Sequence, residues 1–362
     1  TKLELLEKYE IMNCCLQFSS FLQNSTEMAD IWSKTLSSFL IDLTTETFMV
    51  THLDKFPQLF TQFLCAVTNI DAASKSLDFK MNVVKLAICC LYDATLELGE
   101  NKIRFQEFKL DPFELNKTLP WFVNVDTLTA INNLFFDYKF SVSLDVAGLD
   151  EKLLPLIKFL YYSFNQVNLW FNEQPERKIS PCFASLKQLY DDNHLSWSLA
   201  LCELSLQESS IQITEFYRDL EALVGTLETL EESVSQDLYL EYFEKFGYDF
   251  ASTVFEHYIK VNKLRDLFFR FPTQHDFLVQ FFENSDQYGN VAWIQQILDN
   301  DYEKASATLS SISVGENCVD QSLEQRQLHL SLAKLSAIAE EGVGQEPKYM
   351  DRIQADLDLV EG

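Results

Sequence analysis

The sequence predicts an all-α protein, built as an irregular α-solenoid of stacked antiparallel helix pairs. Three observations lead to this prediction. Apolar residues recur at helical spacing from one end of the chain to the other, short polar breaks separate segments of helix length, and only 9 glycines and 8 prolines occur among 362 residues. Because tight turns between strands need glycine and proline, their scarcity favours long helices with short connections.

The first predicted helix carries two apolar rows on adjacent faces. Each row steps by three or four residues, as one face of a helix does. The rows are Leu5, Tyr9, Met12 and Leu16, and then Ile11, Cys15, Phe18 and Leu22. Two rows make a wide apolar stripe, so we expect this helix to be packed on both sides.

Further helices follow the same pattern. The polar run Asp191-Asp192-Asn193 has the composition of an N-cap and predicts a helix start there. The row after it is Leu195, Leu199, Cys202 and Leu206, and a similar row near the end is Leu328, Leu332, Leu335 and Ala339. Residues 121–144 are rich in Val, Phe and Tyr, which suits strands, but their helical neighbourhood favours a helix.

Helix boundaries are predicted from polar and glycine signals. Gly247 stands where a helix ending at Phe246 would need a residue with positive φ. A break is expected near residues 261–262. Asp299-Asn300-Asp301 predicts the start of another helix, with Glu303 three residues after Asn300 as the capping-box partner.

The chain has no exact repeat, which argues against tetratricopeptide and ankyrin arrays. Its clearest change in composition lies at residues 172–181, where prolines and charges cluster. We therefore predict an N-terminal helical stack over 1–172, a linker or loop over 173–182, a second stack over 183–341 and a terminal helix over 342–362. Since the chain begins without Met and already in helical pattern, we expect it to be a fragment of a longer protein.

The charge balance excludes some classes of partner. Asp and Glu number 55 against 28 Lys and Arg, a formal net charge of −27. A surface this acidic repels nucleic-acid phosphates and anionic lipid, so direct binding to either is not expected. No run of 18 or more apolar residues occurs, so no membrane-spanning helix is predicted. Protein partners remain compatible with such a surface.

No residue pattern points to catalysis. The eight cysteines include no C-x-x-C pair, the five histidines show no zinc-ligand spacing, and nucleotide-binding or hydrolase motifs are absent. We predict free core thiols in a reducing compartment, no metal, no cofactor and no enzymatic activity. No catalytic, cofactor-binding or partner-binding residue is assigned.

Two features could mark a partner surface. Acidic residues cluster from Asp219 to Asp249, where Lys245 is the single base, and this stretch is either a docking face for a basic partner or a solvated helix face. The solvated face is the favoured interpretation. The aromatic candidates are Phe268, Phe269, Phe271, Phe281 and Phe282, but with 30 phenylalanines in the chain most must be core.

The second half of the chain resembles the nucleoporin 133 family, the stalk-tip subunit of the Y-shaped nuclear pore scaffold complex. Its amino-acid sequence is most similar to that of budding-yeast members. The matching stretches are SWSLALCE (196–203), FASTVFEHYIKVNKLRDLF (250–268), WIQQILDNDYEKASATLSSIS (293–313) and LSLAKLSAIA (330–339). They are packing motifs, so their specificity comes from their combined length.

The resemblance implies a scaffold protein of the nuclear pore and nuclear envelope that supports mRNA export and protein transport. It implies that this chain is the middle part of the family's helical region, without its propeller. It also implies contact with the neighbouring 107/84-type stalk subunit through a C-terminal block that these residues do not include.

Two other classes of function stay open at this point. The first is a helical adaptor, such as a vesicle-coat or tethering subunit, because coat proteins share this architecture. An enzyme with an unrecognised helical active site is the second and weaker possibility. Independently of function, Trp293 is expected in the core, where its replacement by alanine would cost about 3–5 kcal/mol.

Overall fold

The computed structural model describes residues 2–39, 44–70, 76–93, 96, 119–141, 148–173, 180–314, 321–341 and 350–361. All regular secondary structure in these residues is helical, which confirms the predicted all-α class. By their contacts the residues form two compact units, Thr1–Ser235 (unit 1) and Gln236–Gly362 (unit 2). None of the described helices is long and apolar enough to cross a membrane.

Unit 1 contains ten α-helices among the described residues. They are α1 (Lys2–Asn24), α2 (Thr26–Phe39), α3 (Thr45–Thr51), α4 (Phe56–Thr68), α5 (Leu77–Ala87), α6 (Val125–Ser141), α7 (Leu149–Glu173), α8 (Pro181–Glu203), α9 (Gln207–Phe216) and α10 (Leu220–Leu227). A π-helical turn, Ile88–Tyr92, continues α5.

Helix α11 (Glu232–Phe246) contains the division between the units. The helices after it are α12 (Tyr248–Lys260), α13 (Leu264–Phe269), α14 (His275–Asn284), α15 (Gly289–Leu298), α16 (Tyr302–Ser313), α17 (Leu323–Glu341) and α18 (Met350–Glu361). Helices α15 to α18 pack each on the next in chain order, as expected for an α-solenoid.

Aromatic rings fill the core of unit 1 near its N-terminus. Phe18 of α1 is fully buried, with ring centroids 4.7 Å from Trp32 and 5.3 Å from Phe63, both edge to face. Phe56 and Phe60 lie 5.7 and 5.6 Å from the same ring. Edge-to-face packing adds to the hydrophobic gain of burying these rings, so this cluster ties α1, α2 and α4 together.

Only one of the two apolar rows of α1 is in this core. Ile11, Cys15 and Phe18 are buried, whereas the other row is exposed, by 69% at Leu5 and 63% at Leu16. Tyr9 and Met12 are exposed as well. The expectation that α1 is packed on both sides is therefore wrong for the described residues. Helical spacing shows which residues share a face, but it does not show whether a neighbour covers that face.

The two rows of α1 give a direct test by substitution. We expect Phe18→Ala to destabilise the protein by about 3–5 kcal/mol, because it opens a cavity among packed rings. Leu16→Ala should change stability by less than about 0.5 kcal/mol, as at most exposed sites. Urea denaturation followed by circular dichroism measures both. Equal losses would show that the exposed row is covered in solution.

The row predicted near the end of the chain shows the same division. Leu328, Leu335 and Ala339 of α17 are exposed, and Leu332 is half-buried against the core. The buried face of this helix is formed by Leu330, Ala333 and Ala337. The two alanines allow close packing, since the Ser306 hydroxyl donates to the Ala333 carbonyl at 2.9 Å. Ile353 and Leu357 of α18 complete this core.

Two predicted caps are corrected by the structure. Asp191-Asp192-Asn193 lies inside α8, which begins ten residues earlier at Pro181, and the Asn193 amide donates to the Leu189 carbonyl of the same helix. The helix start predicted at Asp299-Asn300-Asp301 is confirmed, but the cap of α16 is Asp301 in place of Asn300, and it accepts from the Lys304 N–H at 3.2 Å. Asn300 instead has a φ of 62°, so it forms the left-handed turn before the cap.

Other predicted boundaries are confirmed. Gly247 has a φ of 59° directly after α11, and Asn262 has a φ of 56° in the break after α12. Residues 125–141 of the segment with strand-like composition form α6, whereas residues 121–124 form a turn before it. Residues 142–144 lie outside the described range. The predicted domains 1–172, 173–182, 183–341 and 342–362 stay predictions, and residues 174–179 and 342–349 are not described.

Candidate functional site

A network of hydrogen bonds in unit 1 is centred on the buried carboxylate of Asp219. The carboxylate accepts hydrogen bonds from the Tyr161 hydroxyl at 2.8 Å, the Tyr190 hydroxyl at 2.9 Å and His194 Nδ1 at 2.9 Å. It also caps α10 by accepting from the Ala222 N–H at 3.2 Å. Four donors therefore converge on one carboxylate.

Local structure places these groups together. Tyr190 and His194 are four residues apart on α8, so their side chains share one face of that helix. Arg218 has a φ of 55°, and this left-handed residue ends α9 and turns the chain into Asp219. Tyr161 reaches the carboxylate from α7. The network thus joins α7, α8 and α10.

Charge and burial act against each other in this network. Burial alone would lower the pKa of His194, but the hydrogen bond and negative charge of Asp219 outweigh it, with smaller help from Glu221 and Asp191, so the pKa is raised. Burial would raise the pKa of Asp219, yet His194 and then the two tyrosines bring it below its ordinary value. Burial and the Asp219 charge raise the pKa of Tyr161 and of Tyr190, which keeps both hydroxyls protonated as donors.

A second chain of hydrogen bonds extends from the same helix, α8. The Trp197 indole N–H donates to Asn132 Oδ1 at 2.7 Å, and the Asn132 amide donates to Asn193 Oδ1 at 3.2 Å. Trp197 is fully buried, with ring centroids 5.5 Å from Tyr161 and 5.9 Å from Phe164. These contacts join α6 to α8.

A His–Asp pair beside two tyrosines has the residue types of acid–base chemistry, but its position serves another purpose. His194 and Asp219 are both buried, and every hydrogen bond described above is to another group of the protein. General acid–base catalysis requires contact with a substrate. The network therefore orients helices, and it assigns no catalytic residue.

The pH dependence of stability tests the charge on His194. Because the folded pKa of His194 is raised, its charged contribution is fully present below the unfolded value near 6.5 and is lost as pH rises through the folded pKa. We expect His194→Gln to be most destabilising near pH 6 and less so at about pH 8–9, as measured by urea denaturation at each pH. A loss that is constant across this range would show that His194 is neutral in the folded protein.

The structure separates the members of the acidic stretch. Asp219 belongs to the buried network and not to a solvated face, which corrects the favoured interpretation for this residue. The exposed members are Glu231, Glu232, Asp237, Glu241, Glu244 and Asp249. Whether they dock a basic partner stays a prediction.

Most of the aromatic candidates are core residues of unit 2. Phe271 lies 5.0 Å from the rings of both Tyr239 and Phe243, and Phe281 and Phe282 are also buried. Phe268 is half-buried and stacks on Phe282. Phe269 is 62% exposed, which makes it the most accessible of these five to a partner.

The seven described cysteines are free thiols, and Cys318 lies outside the described residues. Cys14, Cys15, Cys90 and Cys202 are buried, and burial together with the charge of Cys90 raises the pKa of Cys15 to about 12. A thiol with so high a pKa is protonated and unreactive. Within the described residues, no group of three or more His, Cys, Asp or Glu is arranged to hold a metal ion.

Sequence reasoning missed the network because its contacts are distant in the chain. His194 and Asp219 are 25 residues apart, and Tyr161 and Asp219 are 58 apart. The only local signal was Asp219 directly before the apolar helix α10, a sequence typical of an N-cap. No signal identified the two tyrosines as its donors.

Comparison with known proteins gives one family and two relatives. Residues 172–361 match the family described as non-repetitive/WGA-negative nucleoporin C-terminal. Nucleoporin NUP133 of Saccharomyces cerevisiae is 44% identical over 373 residues, which cover 99% of this chain and 32% of the yeast protein. Nuclear pore complex protein Nup133 of Drosophila melanogaster is 27% identical over 179 residues, 49% of this chain and 14% of the fly protein. The chain thus spans about a third of the length of the yeast relative.

Proposed function

The chain belongs to the family of non-repetitive, WGA-negative nucleoporins, and on this basis we propose that it is a structural part of the nuclear pore complex. The observation that carries the proposal is the family match over residues 172–361, which covers α8 to α18. The resemblance to the nucleoporin 133 family inferred from the sequence is confirmed by the yeast relative. Our proposal places the protein at the nuclear envelope, where it supports mRNA export and protein transport by holding other components.

The fold supports a scaffold role. A protein that holds others in place needs stiff internal packing, and here buried polar groups link neighbouring helices, as at Asp219 and Trp197. It also needs surfaces for contact. Leu328, Leu335 and Ile338 lie on one face of α17, all exposed and all inside the family match. Apolar side chains exposed together are typical of protein contact sites.

We further propose that the partners are other nuclear pore components. The family resemblance points to the Y-shaped complex and its 107/84-type stalk subunit. The alternative role of vesicle-coat or tethering adaptor has the same architecture, but both named relatives are nuclear pore proteins. We also propose that the role of the protein is structural and not catalytic.

Cell localisation and co-purification test the proposal. We expect the intact protein, tagged at its chromosomal locus, to mark the nuclear rim and to recover nuclear pore components. Localisation to the Golgi or endosomes, with coat subunits recovered instead, would overturn it.

The exposed face of α17 can be tested in the same cells. Leu328→Glu together with Leu335→Glu should lower the recovery of pore components without loss of helicity. Glu340→Ala, an exposed change on another face of α17, is the matched control and should have no effect. Unchanged recovery with the double variant would remove this face from the proposal and leave the family assignment intact.

A further inference from the structure

Unit 1 has an open groove of about 670 Å³ between α7 and α8. We propose that this groove binds an extended peptide segment of a partner protein, with the peptide backbone held by Asn168 and Asn172 and one large apolar side chain placed among the rings of the floor. The inference depends on the groove alone and does not require the proposed place in the nuclear pore.

The floor of the groove is apolar and already formed. Phe164 and Val167 are buried at its base, next to the Tyr190 ring, whose centroid lies 5.3 Å from that of Phe164. Phe171 of α7 and Phe183 of α8 stack across it, with centroids 4.2 Å apart and an interplanar angle of 11°. A floor of stacked and tilted rings favours a flat or long apolar side chain.

The two asparagines on the α7 rim match the repeat of an extended peptide. They are four residues apart on a helix, about 6 Å along its axis at roughly 1.5 Å per residue. An extended chain rises about 3.3 Å per residue, so alternate residues, which turn their backbone N–H and C=O to the same side, recur about every 6.6 Å. Each carboxamide has a donor and an acceptor, which pair with the backbone C=O and N–H of one peptide residue.

Both side chains are available for this pairing. Asn168 and Asn172 are exposed, and neither side chain has a hydrogen-bond partner among the described residues. A helical binding partner would not use them well, because its own backbone groups are already paired within the helix. The asparagine pair therefore favours an extended peptide over a helix.

The opposite rim sets the charge of the peptide. Lys187 and Asp191 are exposed and four residues apart on α8, the same spacing as the asparagines. In an extended peptide, the residues before and after an inward-pointing side chain turn their own side chains away from the floor. These two side chains lie about 6.6 Å apart along the peptide. A peptide with one acidic and one basic residue on either side of an aromatic residue would therefore place its acidic side chain near Lys187 and its basic side chain near Asp191.

A synthetic peptide tests the groove. The probe is Gly-Ser-Glu-Phe-Lys-Ser-Gly, capped at its C-terminus and labelled with a fluorophore at its N-terminus, and fluorescence anisotropy measures its binding to the whole 362-residue chain. We expect the Asn168→Ala/Asn172→Ala double variant to weaken binding about tenfold or more, since several hydrogen bonds are lost. A probe with alanine in place of phenylalanine should lose binding by a similar factor.

Two controls separate recognition of the backbone from general attraction. Leu169→Ala changes an exposed residue of the same helix that does not line the groove, and it should leave binding unchanged. A second probe is N-methylated at the amide of its phenylalanine and at the amide of the serine that follows its lysine. It keeps its side chains but loses two backbone donors, and we expect it to bind as weakly as the unmodified probe binds the double variant. Circular dichroism confirms that each variant is folded.

Three results would overturn the proposal. The first is no binding of the probe at concentrations up to about 1 mM, the weak limit of useful affinity. The second is equal binding by the double variant or by the N-methylated probe. The third is concentration-dependent dimerisation of the chain that the double variant abolishes, which would identify a second copy as the occupant.

Discussion

Replacement of Asp219 by alanine is expected to destabilise the protein by about 3–5 kcal/mol, the usual cost of removing one partner from a buried charged pair. The substitution leaves His194 and the hydroxyls of Tyr161 and Tyr190 without their shared acceptor inside the protein. It also removes the cap of α10. Urea denaturation followed by circular dichroism at about pH 7 measures the loss.

Two variants separate the causes of this loss. Glu231→Ala removes an exposed carboxylate from the same acidic stretch, and it should change stability by less than about 0.5 kcal/mol. Asp219→Asn keeps the shape and one acceptor oxygen but not the charge, so an intermediate loss is expected. If Asp219→Ala cost no more than Glu231→Ala, the network would have no part in holding α7, α8 and α10 together.

Trp197→Ala is the second large effect, with an expected loss of about 3–5 kcal/mol. The indole is fully buried between Tyr161, Phe164 and Tyr190, so its removal leaves a cavity lined by rings. The side-chain oxygen Oδ1 of Asn132 also loses its donor. Trp197→Phe keeps much of the volume and isolates the hydrogen bond, at about 1–3 kcal/mol for an unsatisfied buried acceptor.

The Trp293→Ala variant serves as a comparison with Trp197→Ala, because the sequence alone predicted an equally large loss of stability at Trp293. The structure shows Trp293 half-buried at the edge of its core, with its N–H donating to the Asn290 carbonyl of its own helix. We therefore expect a smaller loss of about 1–3 kcal/mol, in proportion to the smaller area removed from water. A loss at Trp293 equal to or above that at Trp197 would contradict this ranking.

These substitutions also bear on the scaffold role. A variant that loses stability at Asp219 should lower the amount of the protein at its site of assembly through unfolding, because a loss of a few kcal/mol changes cellular abundance several-fold. A change on the exposed face of α17 should instead weaken contacts at normal abundance. Comparing abundance with recovery of partners distinguishes the two mechanisms.

The candidate surfaces show where sequence reasoning reached its limit. Phe269 and Phe271 are two residues apart in one short aromatic run, yet the first is exposed and the second lies against Tyr239 and Phe243. The groove residues Asn168 and Lys187 belong to no recognised motif, so nothing in the sequence singled them out. Their relevance comes from α7 and α8 lying side by side, a contact between segments separated by a proline-containing connection.

The helical class, several helix boundaries and the family of this protein could all be predicted from the amino-acid sequence. They depend on local properties. These are the 3.6-residue period of the apolar residues, the preference for glycine where φ is positive, as at Gly247, and the amino-acid sequence of the packing motifs over residues 196–339. The exposure of Leu5 and Leu16 beside a buried Phe18, and the pairing of Asp219 with His194, became known only from the folded chain. A helix forms its backbone hydrogen bonds within itself, whereas burial and side-chain pairing depend on neighbours brought close from distant parts of the chain.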